Sequence, residues 1–373
     1  MVPSDAGAQY ASGYLLFHAQ SSVMAQKFDP ASGKLNGEAI AVLDKVRFDS
    51  GVWRALFTVS NNGLLGYLPG GTGATGTQLV WYDRTGKIPK VVGEQGNYSD
   101  PRLSPDGKRL AFLSGDPNWD VWILDLERGT RSRITFDQNE KSAVTWSPDG
   151  RMLAFRMSHL TATDVSATIH AKAANGSGTD QMLASEDGND LEYPQYSPDG
   201  RYLAYVRSQK GRGLGVYAKP LQGDGAPFAV VSAASPQSGI YSFRISPNGH
   251  WIAYDSNESG RFEIYIAPFP RGEGKWQVSA SGGLFPAWRG DSREIYFALG
   301  SSELWAAAIS ESGGELRIGT PQLLFPMNGP AKSRFYDPAA DGQRFLVQRV
   351  NVDVEESTAL NLMVNWTAEL KKK

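Results

Sequence analysis

Along most of this chain, short apolar runs with a period of two alternate with tight polar clusters, the pattern of strands and turns. The clearest run is Leu110-Ala111-Phe112-Leu113, in which Leu110 and Phe112 fall on one face and Ala111 and Leu113 on the other. Both faces are apolar, so the strand must be covered on both sides. Near copies follow at Met152-Leu153-Ala154-Phe155, Tyr202-Leu203-Ala204-Tyr205 and Trp251-Ile252-Ala253-Tyr254. Each copy comes just after one turn sequence: Ser104-Pro105-Asp106-Gly107, Ser147-Pro148-Asp149-Gly150, Ser197-Pro198-Asp199-Gly200 and Ser246-Pro247-Asn248-Gly249. Pro presets φ at the second turn position, Asp suits the third, and Gly takes the positive φ that returns the chain in register.

The turns start 43, 50 and 49 residues apart (147−104, 197−147, 246−197). Several strands per unit at that period predict a β-propeller. A third strand, Asp120 to Leu126, and a short polar fourth, Arg131 to Phe136, complete the first clear unit. Degenerate copies extend the series at Ser12-Gly13, Ser60-Asn61-Asn62-Gly63, Arg289-Gly290-Asp291-Ser292 and Ala340-Asp341-Gly342. Eight turn-plus-strand units result. The expectation is an all-β fold, one propeller over residues 1–373 with four-stranded antiparallel blades at about 8–59, 60–97, 98–140, 141–190, 191–239, 240–283, 284–333 and 334–373. Seven blades, with a terminal unit merged or detached, is the alternative. Ring closure by the termini removes an open sheet edge, and residues near Pro3–Ala8 are expected to supply the outer strand beside Leu362–Trp366.

Composition refines this. With 41 Gly and 21 Pro among 373 residues, turns are frequent. A net charge of −2 gives no electrostatic case for nucleic acid. Cysteine is absent, which excludes disulfides, thiolate metal sites and a cysteine nucleophile. No stretch approaches the ~20 apolar residues of a membrane span, so no membrane insertion of this chain is expected, and a monomer is.

In a propeller the strand before each turn lines the central channel. The polar and aromatic residues there form the candidate ligand-binding mouth: Arg54, Tyr98, Asp100, Arg102, Glu140, Glu192, Tyr193, Tyr241, Phe285, Arg334 and Tyr336. The bland alternative is that they only solvate a water-filled channel. Asp100, Glu140, Glu192 and Asp337 are candidate oxygen ligands for a hard cation such as calcium. The turn residues Asp106, Asp149 and Asp199 stabilise turns on separate blades. No catalytic residue is assigned: there is no Gly-x-Ser-x-Gly elbow, and His18, His159, His170 and His250 lack ligand spacing. Gly70-Gly71-Thr72-Gly73 lacks the Gly-Lys-Ser/Thr ending of a phosphate loop and reads as a flexible connection.

The pattern Ser-Pro-Asp-Gly-Lys/Arg-x-Leu-Ala-Phe followed by Asp-Val-Trp-Ile-Leu-Asp-Leu resembles the TolB-type propeller repeat. That repeat also occurs in the propeller of prolyl-oligopeptidase-like peptidases. Gly13 to Phe17 with Met24 to Pro30, Asn62 to Tyr67, and Asn365 to Leu370 further resemble the C-terminal propeller region of acidobacterial-type membrane serine/threonine kinases. The kinase domain is expected to be absent, since no His-Arg-Asp or Asp-Phe-Gly motif is present, and so is the hydrolase domain of the peptidases. The resemblance implies a sensor or scaffold propeller, periplasmic or extracytoplasmic as part of a longer parent and cytoplasmic if free-standing. Its partner is expected to be a small molecule or protein at the mouth. The alternative is a calcium-dependent propeller hydrolase of lactonase or phosphotriesterase type.

Overall fold

The structure is a computed structural model that describes residues 7–371 apart from short stretches, the longest being 50–53, 70–76, 161–164, 328–334 and 351–359. It is all-β and divides into two compact units, residues 77–350 and residues 1–76 with 351–373.

Residues 77–350 build six sheets. Four are four-stranded meanders in chain order: Tyr98–Leu103 to Arg131–Arg133, Glu140–Trp146 to Gln181–Ala184, Asp190–Tyr196 to Phe228–Ser232, and Ile240–Ile245 to Trp276–Gln277. The fifth begins Leu284–Trp288, Glu294–Leu299, Glu303–Ser312, and the last of these pairs with both Glu315–Ile318 and Gln322–Pro326. The sixth draws its two inner strands, Tyr336–Pro338 and Arg344–Val350, from one end of the segment and its two outer strands, Thr77–Asp83 and Lys90–Gly96, from the other. We number these sheets as blades one to six.

Six interfaces make this a closed ring. The innermost strands touch in sequence, and Tyr336–Pro338 of blade six meets both Leu284–Trp288 of blade five and Tyr98–Leu103 of blade one. Each neighbouring pair shares one apolar cluster; blades one and two, for example, join Leu113, Val121 and Ile123 to Val144, Leu153 and Phe155. This explains why both faces of each second strand are apolar.

The expected allotment of strands is therefore corrected. The ring over 77–350 closes at six blades, not eight or seven. The strands assigned to blades at 60–97 and 334–373 are shared out differently. Leu64–Tyr67 does not continue to Thr77–Asp83; it pairs with Phe57–Val59 and with Asn361–Val364. Thr77–Asp83 pairs instead with Arg344–Val350 because both its faces need cover: Val80 and Tyr82 pack toward blade five, and Leu79 and Trp81 toward blade one. Sequential strands are usually neighbours, and that prior misled here. The expected outer strand near Pro3–Ala8 and the glycine run at 70–76 fall largely or wholly outside the described residues.

In the other unit, Gln9–Ala11, Tyr14–Ala19, Ser22–Asp29 and Lys34–Leu43 form a meander, so its first strand is present though short. Trp366, at the start of a 3-10 helix Trp366–Lys371, is fully buried among Leu16, Val23, Phe57 and Leu65.

The repeated turns work as expected. In the first, the Ser104 hydroxyl donates to Asp106 Oδ1 at 2.5 Å, the Gly107 amide donates to the Ser104 carbonyl at 2.8 Å, and Asp106 accepts from the Lys108 amide. Gly107 has φ of 67°, which a side chain would resist. The serine hydroxyl holds the carboxyls of Asp106 and Asp149 below their usual range. Their stabilising contribution is in place above the unfolded carboxyl value and fades as pH falls through the lowered folded values.

A clasp joins blades six and five. Arg84 makes a bidentate pair with Glu294 at 2.7 and 2.9 Å and also donates to the Gly342 carbonyl. Arg84→Ala is expected to lower the stability of the ring by about 1–2 kcal/mol, read as a fall in its urea midpoint. Arg84→Lys should recover less than half, because an ammonium cannot bridge both carboxylate oxygens.

Candidate binding site at the channel mouth

Aligning the six blades on their turns turns the channel into layers. Two residues before each turn stand Arg102, Thr145, Gln195, Arg244, Ala287 and Asp337. These line the turn end. Arg102 pairs with Asp100 at 2.5 Å and lies 3.8 Å from Asp337, while Arg244, from blade four, reaches the same carboxylate at 3.9 Å. Asp337 also accepts from the Leu103 amide at 2.9 Å. Burial pushes the Asp337 carboxyl above its usual range, against the pull of Arg102 and Arg244. Gln195 accepts from the Ile245 amide at 3.0 Å, tying blade three to blade four.

One layer further from the turns stand Asp100, Ala143, Tyr193, Ser242, Phe285 and Phe335. The pairing register slips at this level in the inner strands of blades one to five, a β-bulge in each. Asp100, Ala143, Tyr193 and Phe285 have φ between 50° and 56°, in the left-handed region that β-carbons disfavour. Bulges re-aim side chains, and backbone strain of this kind collects where ligands bind. In blade four the buried Asp255 carboxylate braces the bulge: it accepts from the Tyr241 and Ser242 amides at 3.0 and 2.7 Å and from the Ser242 hydroxyl. It also accepts from the Phe285 amide of blade five at 3.1 Å.

An aromatic arc runs from blade three to blade six. Ring centroids are 5.5 Å apart for Tyr193 and Tyr241, 5.9 Å for Tyr241 and Phe285, and 6.2 Å for Phe285 and Phe335. Tyr241 is 36% exposed and also meets Phe262. Beside it a cavity of about 210 Å³ is lined by Arg212, Gln237, Tyr241, Asn257 and Phe262. Its wall is tight: a β-carbon on Gly213 would sit 1.8 Å from the Ile240 carbonyl oxygen. Toward blade two the wall is polar. Arg156 donates to Ser158 Oγ at 2.5 Å and faces Glu192, whose carboxyl burial pushes above the usual range.

Tyr193, Tyr241, Phe285, Asp100 and Glu192 thus lie along the channel strands at or near one level. Arg102 belongs to the floor below them, and Glu140 stands partly buried at the start of blade two's inner strand. Tyr98 is corrected: it is buried between blades six and one, with its hydroxyl donating to the Glu94 carbonyl. Tyr336 is likewise structural, its buried hydroxyl donating to the Phe285 carbonyl at 2.6 Å. The side chain of Arg54 and the whole of Arg334 lie outside the described residues. Asp100, Glu140, Glu192 and Asp337 do not assemble as a cation site: among the described residues no three His, Asp or Glu side chains converge to hold a metal. Asp100 and Asp337 each meet a guanidinium group instead. Sequence reasoning missed Asp255, Arg156, Arg212 and Arg244. Arg244 alone carried a signal, occupying the same place before its turn as Arg102.

The ring and its layered channel define the class: a β-propeller of four-stranded blades. Residues 77–228 match the PD40 family, the TolB beta propeller domain, and the ring is a TolB-like propeller in fold. Among solved structures it is similar to a TolB candidate from Agrobacterium tumefaciens (TM-score 0.56, 19% identity, covering 74% of this chain and 98% of that one). It is also similar to TolB from Acinetobacter baumannii (TM-score 0.52, 19% identity, 82% and 78%). By sequence it is 27% identical over 188 residues to the uncharacterized peptidase YuxL of Bacillus subtilis, covering 48% of this chain and 25% of that one. It is 27% identical over 157 residues to the Tol-Pal system protein TolB of Alcanivorax borkumensis, covering 40% and 35%. The matches span about a quarter to a third of these two curated relatives. No helix among the described residues is long and apolar enough to cross a membrane.

Proposed function

We propose that this protein is a non-catalytic binding propeller, extracytoplasmic within a longer parent, that takes side chains of a protein ligand at the open end of the channel. The observation that carries this is the exposed Tyr241, set in an aromatic arc beside the 210 Å³ cavity, above the layer in which Asp337 meets Arg102 and Arg244. A space of that size suits one or two side chains rather than a drug-sized cofactor, which needs about 300 Å³ or more. Strained bulges and a buried brace hold the rings in place, and preorganisation of this kind lowers the entropic cost of binding.

The test is to pan a displayed library of random dodecapeptides on the full chain. Selected peptides are expected to bind Tyr241→Ala at least about tenfold more weakly, the loss of a buried aromatic anchor. They should bind Met182→Ala, which removes an exposed side chain on the outermost strand of blade two, as well as the unaltered chain. Failure to select any binder, or selection of peptides indifferent to Tyr241→Ala, would overturn the assignment.

A further inference from the structure

The charge at this mouth points to the chemistry of its ligand, an inference that rests on the reading just given. Asp100 is 5% exposed and one carboxylate oxygen is held by Arg102, yet Oδ2 has no hydrogen-bond partner. A buried carboxylate oxygen without a donor is costly and rare. It stands in the layer of Tyr193 and Phe285, which lie two blades away on either side.

The neighbouring strands are acidic once their ion pairs are assigned. Lys141 is committed to Asp137 and Asp120, and Arg207 to Glu186. That leaves Glu140, Asp190 and Glu192 at the start of the inner strands of blades two and three, with the guanidinium of Arg156 facing Glu192. These carboxylates are spread out, and no three converge. A calcium ion requires several oxygens at about 2.3–2.6 Å together, which this spacing does not supply. A larger cation with an alkyl stem has no such requirement. It gains from separated carboxylates and from the faces of aromatic rings.

We propose that the channel mouth binds an organic cation, an alkylammonium or guanidinium group, with Tyr193 and Tyr241 against its stem and Glu192 and Asp100 drawing its charge. Arg212 at the rim is the one opposing charge lining the cavity, and it is anchored by donation to the Pro236 carbonyl at 2.7 Å. It excludes cations that do not insert past it.

Saturation-transfer difference NMR on the full chain tests this with N-acetyl-lysine methylamide, agmatine and spermidine, and with N-acetyl-norleucine methylamide as the neutral counterpart of lysine. The cations are expected to bind saturably and to compete with one another. Norleucine should bind at least about tenfold more weakly, a difference that shrinks as salt rises to about 0.5 M. Glu192→Gln and Tyr241→Ala should each weaken cation binding about fivefold or more, with unchanged melting as the control for folding. Tighter binding of the lysine derivative within a short peptide than of spermidine identifies a polypeptide as the source; the reverse identifies a free polyamine. Equal binding of norleucine, sensitive to Tyr241→Ala, would overturn the cation and leave the mouth as a binding site. Cation binding untouched by both variants would overturn the placement. Absence of binding by all four probes would overturn the cation, and only failure of the peptide selection as well would remove the mouth.

Discussion

Asp255→Ala is expected to destabilise the ring by about 4 kcal/mol, the largest loss from a single change in it. The carboxylate is completely buried and accepts four hydrogen bonds, three of them from backbone amides at 2.7 to 3.1 Å. Alanine leaves all four donors inside the protein with nothing to replace water. Each orphaned donor costs about 1–3 kcal/mol, and shared relaxation keeps the sum below simple addition. Because three donors lie in the bulge of blade four and one in blade five, the damage spreads across an interface. Asp255→Asn keeps the shape but offers one acceptor and a donor that faces donors, so it should recover less than half. Urea denaturation of both variants, with hydrogen exchange at the Phe285 amide, provides the measurement. An Asp255→Asn protein within about 1 kcal/mol of the unaltered chain would show that the brace is dispensable.

The second large effect is expected at the floor. Arg102→Ala should cost about 3–4 kcal/mol at neutral pH, because it strips the guanidinium from the buried Asp100 and the largely buried Asp337. Arg102 meets Asp100 at 2.5 Å and Asp337 at 3.8 Å, and its own side chain is 5% exposed. The loss should depend on pH in a defined direction. Burial already raises the Asp337 carboxyl, and Arg102 is the first of the groups that oppose the rise. Removing Arg102 raises it further above the unfolded value of about 3.8. Between those values the folded state binds more protons than the unfolded state, so stability falls as pH rises through the window. The deficit of Arg102→Ala is therefore expected to be smaller at about pH 5 than at about pH 7.5. A deficit independent of pH would mean that Asp337 finds another partner when Arg102 is gone.

How far the sequence foretold this molecule depends on the range of the interaction. The turns and second strands were legible because their logic is local: Ser104, Asp106 and Gly107 satisfy one another within four residues. The number of blades was not, because Thr77–Asp83 and Leu64–Tyr67 read as successive strands yet take partners from the far end of the chain. Only two-sided packing of Leu79, Val80, Trp81 and Tyr82 decides between those pairings. The candidate mouth divides in the same way. Tyr193, Tyr241 and Phe285 were identifiable from their place before a turn, whereas Tyr98 has an equally suggestive place and packs between blades. A bulge moves side chains without leaving a mark on the alternation of residues. Asp255 sits inside an apolar strand as a lone acid, and its role appears only once the bulge opposite it is known.

The closing sheet has a mechanical consequence. Thr77 and Val350 face each other at one end of an antiparallel pair that runs to Asp83 and Arg344. Tension arriving through residues 76 and 351 would pull both strands apart from that same end. The load falls on one rung of the ladder at a time, like a zipper, rather than on all seven in shear. Under stretching, the ring should open first at its seam, at low force, with the other five blades still folded.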